Sequence, residues 1–120
     1  MAVFSKVLLS GSTQGKAIKV VATGTPGTAV HTTGTSAAVL DEVWVYAFNS
    51  DTVDRLLTIE FGGATAPDQN IVQTIVAKTG LTLVVPGLVL TGDGGAGATV
   101  KAFAASANVV TVTGFVNRIT

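Results

Sequence analysis

The chain has no cysteine, which excludes disulfides and thiolate metal sites. It has one histidine, His31, and a zinc site of ordinary type needs further His or Cys ligands that are missing. Charge is scarce: 12% of the 120 residues are Asp, Glu, Lys or Arg, against about 25% in an ordinary domain. The seven basic and seven acidic side chains cancel and are scattered. No basic stripe therefore points to nucleic acid, and no polybasic cluster points to an anionic membrane. No run approaches the ~20 apolar residues that cross a bilayer. Met1–Ser10 is too short and too weakly basic for a signal peptide, so synthesis in a cytoplasm is expected.

What is present is a single domain's length of chain, enough to bury a core unaided. Hydrophobic residues make up 48%, and with many Thr, Ser and Gly they give a mean hydropathy of +0.59. Such a chain cannot dress its surface in Lys and Glu. Either the surface is neutral Thr/Ser/Gly or other subunits cover much of it, and a net charge near zero offers little colloidal repulsion. Life in an assembly is the expectation.

Leu40–Asn49 is the stretch around which the chain is built. It holds Trp44 and Tyr46, the only Trp and Tyr. Val43, Val45 and Ala47 alternate with Trp44, Tyr46 and Phe48, so both faces of a strand here are apolar and protein is expected on both sides. After the polar turn at Asn49–Asp54, a second strand over Arg55–Gly63 puts Leu57, Ile59 and Phe61 on one face. Further β-rich runs cover 16–23, 28–32, 70–77, 81–85, 98–105 and 109–119. Pro86-Gly87 is expected to break the strand that begins at Leu81, with Leu88–Leu90 resuming it. No segment sustains helical periodicity. About eight strands with turn signals every 8–12 residues or so predict an all-β antiparallel sandwich, with a jelly roll as its natural closure. The sandwich domain is placed at 16–120. Residues 1–15 read as an apolar N-terminal arm and flexible hinge, or else as a first edge strand.

The candidates for chemistry are weak. Gly11–Ala17 has three residues between its glycines, no hydroxyl after Lys16 and a strand to follow, so it is not a phosphate-binding loop. Gly92–Gly97 is glycine-dense but carries one acid, Asp93, too few for calcium. His31 has no assignable partner and reads as a hydrogen-bonded or solvated side chain. Asp41 and Glu42 are neighbours on a strand, so they face opposite ways and mark its solvent-exposed entry. Asp51, Asp54 and Asp68 suit turns. Glu60, opposite the apolar face of its strand, is free to pair with Arg55, Arg118 or another subunit. Trp44, Tyr46 and Phe48 lack the basic groove of a nucleic-acid stacking platform and suit core or subunit packing. The chain reads as a non-enzyme with no cofactor, metal or small-molecule substrate.

Ser10–Val20, Leu40–Asn49, Asp54–Gly63, Val85–Leu88 and Gly114–Thr120 together resemble the small head decoration (cement, or auxiliary capsid) proteins of tailed bacteriophages. The resemblance runs over nearly the whole chain, and none of its segments is a catalytic signature. It implies a homotrimer on the virion surface that ties neighbouring major capsid proteins together once the head has expanded. On that basis Val3, Phe4, Val7, Leu8 and Leu9 are expected to touch the capsid. Trp44, Tyr46, Phe48, Phe61 and Phe115 are expected in core and trimer packing. The alternatives are a phage head-fibre or tail component and a carbohydrate-binding β module.

Overall fold

The computed structural model describes residues 2–120. Met1, which opens the arm read from the sequence, lies outside them. Nine strands form two antiparallel sheets packed face to face, and no helix occurs among the described residues. They are β1 (Phe4–Leu8), β2 (Ile18–Lys19), β3 (Thr28–Thr32), β4 (Leu40–Asn49), β5 (Arg55–Phe61), β6 (Asn70–Ile75), β7 (Thr82–Leu90), β8 (Thr99–Ala104) and β9 (Val110–Ile119). The first sheet has the order β1-β9-β4-β7, with β2 pairing the same edge of β9 as β1; the second has the order β3-β8-β5-β6. The pairs β5–β6, β4–β7, β3–β8 and β2–β9 are nested, as in one long hairpin wound around itself.

Period-two alternation builds the core. Val43, Val45 and Ala47 of β4 and Val112 and Val116 of β9 point inward from the first sheet. Leu57 and Ile59 of β5 and Val100 and Ala102 of β8 meet them from the second. The valines suit both tasks, because their branched side chains favour the pleat and pack tightly between sheets. Each fully buried one contributes about 1.5–3 kcal/mol relative to exposure.

Several expectations are corrected. The strand expected over 16–23 shrinks to β2, because Thr28 Oγ1 accepts the backbone N–H of both Val21 and Ala22 and turns the chain toward β3. β7 runs through Pro86 unbroken. It is an edge strand, where a missing donor faces no partner, and irregularities between Val43/Trp44 and Val45/Tyr46 in the β4 register absorb the kink. Gly87, with φ 74°, sits in that irregularity, where a Cβ would lie 2.6 Å from the Trp44 ring. β4 is covered on one side only: its Trp44, Tyr46 and Phe48 face is half-buried and carries no second layer of this chain.

β1 belongs to the sandwich. Its register with β9 runs from Phe4↔Ile119 to Leu8↔Phe115, and reciprocal hydrogen bonds of 2.9 Å between Val3 and Thr120 extend it. Of the two readings of the N-terminus, the chain itself takes the edge strand.

Candidate functional site

The outer face of the first sheet is the feature that the fold does not use. Register across β1, β9, β4 and β7 sets its side chains in rows. Phe4, Ile119 and Leu40 form one row, Lys6, Asn117, Glu42 and Val89 the next, and Leu8, Phe115, Trp44 and Pro86 the third. Tyr46 follows beside Leu83, then Phe48 beside Thr111. Trp44 and Phe115 stack at 6.1 Å between ring centroids with 14° between planes, and the Lys6 ammonium lies 4.7 Å over the Phe115 ring. Glu42 Oε1 accepts hydrogen bonds from Trp44 Nε1 at 2.7 Å and Asn117 Nδ2 at 3.1 Å, which hold its carboxyl below the usual carboxylate range. The aromatic side chains are thus fixed in place while their outward surface stays apolar.

The residues singled out from the sequence divide between this face and the interior. Phe4 (70% exposed) and Leu8 (53%) stand on its β1 flank, with Val3 exposed at the end of the strand. Val7 points inward against the core, and Leu9, 1% exposed, is part of it. Trp44, Tyr46, Phe48 and Phe115 share the outer face, whereas Phe61 packs against the core from the second sheet. Sequence reasoning missed Lys6, Asn117, Leu83 and Val89. Alternation within each strand was visible, but the register joining strands far apart in sequence, such as Glu42 with Val89 and Glu42 with Asn117, was not.

Inside the sandwich, a polar cluster crosses from sheet to sheet. His31 Nε2–H donates to Asp41 Oδ2 at 2.8 Å, and Arg118 donates to both Asp41 oxygens at 2.8 and 3.0 Å. Asp41 is therefore not an exposed strand entry but a buried anion, 1% exposed. Burial alone would raise its pKa; the hydrogen bonds and charge of Arg118 and His31 outweigh burial and hold it below the ordinary value. His31 Nδ1 accepts from the backbone N–H of Ser10 at 3.0 Å, while Ser10 Oγ accepts from Thr32 N–H at 2.7 Å. The set has the composition of a Ser-His-Asp triad without its geometry, because the ring nitrogen facing Ser10 is bonded to backbone and not to the hydroxyl. Its role is to tie β1's end, β3, β4 and β9 together.

The remaining candidates are satisfied internally. Glu60 is buried under the loop before β3, accepting from Thr25 Oγ1 at 2.5 Å and Gly27 N–H at 2.6 Å; it pairs with neither Arg55 nor Arg118. Asp93 caps its own glycine loop through the N–H groups of Ala96 and Gly95, which lower its pKa. A shallow cavity of about 90 Å³ on the outer side of the second sheet is lined by Thr23, Leu56, Thr58, Phe103, Ala104 and Ala105, with no titratable group. Among the described residues, no group of three or more His, Cys, Asp or Glu could hold a metal ion. No family model, curated relative or solved structure matches the chain.

Proposed function

We propose that the protein is a structural virion component, a non-enzymatic subunit that associates with copies of itself as a trimer and binds the outer surface of a phage capsid. The observation that carries this reading is the outer face of the first sheet, which is apolar across four strands in a chain whose buried carboxylates, Asp41 and Glu60, are engaged within the fold. The family resemblance supplies the partner, the major capsid protein. The nested strand pairs support reading the winding as a jelly roll.

The aromatic face is assigned to self-association. The capsid contact is assigned to the end of β1 at Val3, since Val7 and Leu9 are engaged inside. A subunit that binds only the expanded lattice stabilises it by mass action, and many equivalent contacts add avidity. The carbohydrate-binding alternative has less support: the Trp44 and Phe115 rings stack on each other, and Lys6 and Glu42 beside them are turned to these rings.

Sedimentation equilibrium of the purified protein is expected to give three times 12.0 kDa. Added to expanded heads that lack it, the protein is expected to co-sediment with them and raise their resistance to heat. A monomer, or an oligomer that leaves such heads unbound, rejects the reading.

A further inference from the structure

The outer face has the size of an interface. Phe4, Leu8, Leu40, Leu83 and Val89 are 70%, 53%, 37%, 42% and 48% exposed. With the half-buried aromatics they form one apolar surface across four strands, the breadth over which a standard interface takes ~800 Å² from each partner. The largest apolar patch on a typical monomer is about 300–600 Å².

Its charges say what covers it. The only charged side chains in the rows described are Lys6 and Glu42, which lie in one row on either side of Asn117 of β9. Among the described residues, Lys6 has no carboxylate within salt-bridge distance, and Glu42 Oε2 receives no side-chain hydrogen bond. The row is bounded by apolar rows on both sides, Phe4/Ile119/Leu40 and Leu8/Phe115/Trp44. Such a pattern is complementary to itself under one class of rotation. An axis parallel to the strands keeps every row at its own height and brings the β1 flank of one copy to the β4–β7 flank of the next. Lys6 then meets Glu42, and apolar rows meet apolar rows. An axis lying across the strands reverses the heights. It sets Lys6 against Lys6 or drives the charged row into an apolar one.

Resting on the self-association proposed above, we infer that a second copy of this chain covers the outer face of the first sheet, related by a rotation axis parallel to β9, with Lys6 of one copy paired to Glu42 of the next. The inference holds for any number of copies that closes the ring. With the rows kept at their heights, Phe4 of one copy then packs against Leu40 of the next and Leu8 against Trp44 and Pro86, which covers the exposed apolar side chains of the β1 flank. A foreign partner would have no reason to mirror that division.

The test combines charge exchange with zero-length cross-linking. Lys6→Glu and Glu42→Lys are each expected to weaken association at least about tenfold by setting like charges together, and the double exchange to restore it. Glu42→Lys also removes the acceptor of Trp44 Nε1, so the unmodified protein is examined in parallel. A mixture of ¹⁴N- and ¹⁵N-labelled chains is treated with carbodiimide, and an amide linking Lys6 to Glu42 of differently labelled chains is expected. An oligomer whose single exchanges associate like the parent, with no such inter-chain link, overturns the arrangement and leaves the self-association reading standing. A parent that is monomeric at concentrations on the order of 100 µM overturns both, and the face then belongs to a different partner.

Discussion

Asp41 stands on the strand face that also buries Val43, Val45, Ala47 and Asn49, and its ionised form is held by hydrogen bonds from His31 and Arg118. Its folded pKa lies below the ordinary 3.8, so folding favours the charged form. That contribution is complete above the unfolded value and is lost as pH falls through the lower folded value. Glu42, Asp51 and Asp93 are also lowered, each chiefly by its own hydrogen bonds, and act in the same direction. Asp41→Asn should therefore destabilise the protein at pH 7. Removing one partner of a buried pair costs about 3–5 kcal/mol; Arg118 is 31% exposed and can hydrate, so the low end applies. The deficit should shrink between roughly pH 5 and pH 2, where the parent's own carboxylate becomes protonated. Urea midpoints across that range provide the check. A deficit that stays constant with pH would show that shape, and not charge, is what Asp41 supplies.

At the scale of the strand, β1 separates two leucines that sequence reading had grouped. Leu8 lies on the outer face and Leu9 is enclosed in the core. Leu9→Ala is expected to lower unfolding free energy by about 2–5 kcal/mol, as core truncations do. Leu8→Ala in the isolated subunit should stay within about 0.5 kcal/mol of the parent. Chemical denaturation of dilute protein distinguishes them, and equal losses would mean that β1 does not sit as described. The same contrast shows what was legible. Alternation in β4 and β5 announced the strands and which side chains share a face, because they obey a local period of two, and β-rich composition announced β8 and β9. β1 was ambiguous because its apolar residues suit either an edge strand or an arm, and only pairing with β9 decides between them. The His31–Asp41–Arg118 cluster was invisible for the same reason: its members come from three strands. Asp41 looked like an exposed strand entry because nothing local to it predicts a guanidinium from Arg118.

At the scale of the molecule, the accessible surface of 6065 Å² is close to the ~6,000 Å² that size scaling gives a 12.0 kDa monomer. The apolar face is therefore not the result of incomplete collapse; the chain folds compactly and still leaves the aromatic outer face of its first sheet uncovered. With 12% charged residues and no net charge, electrostatic repulsion does little to keep copies apart. Association that buries this face must then appear in thermal stability, since anything that binds only the folded chain stabilises it. At a hundredfold excess over Kd the gain is about 2.7 kcal/mol, and each kcal/mol moves Tm by roughly 4 °C in a domain of this size. Raising the concentration from about 1 to about 100 µM should lift Tm by roughly 5–10 °C. A variant carrying Phe4→Ser and Leu8→Ser should lose that dependence, because both side chains lie on the outer flank and neither belongs to the core. Its Tm should match that of the parent at the dilute limit. Scanning calorimetry over the concentration series reads both quantities. A parent Tm that ignores concentration would remove self-association as the reason for the apolar face, and a variant that melts low at every concentration would assign Phe4 and Leu8 to the fold of the subunit.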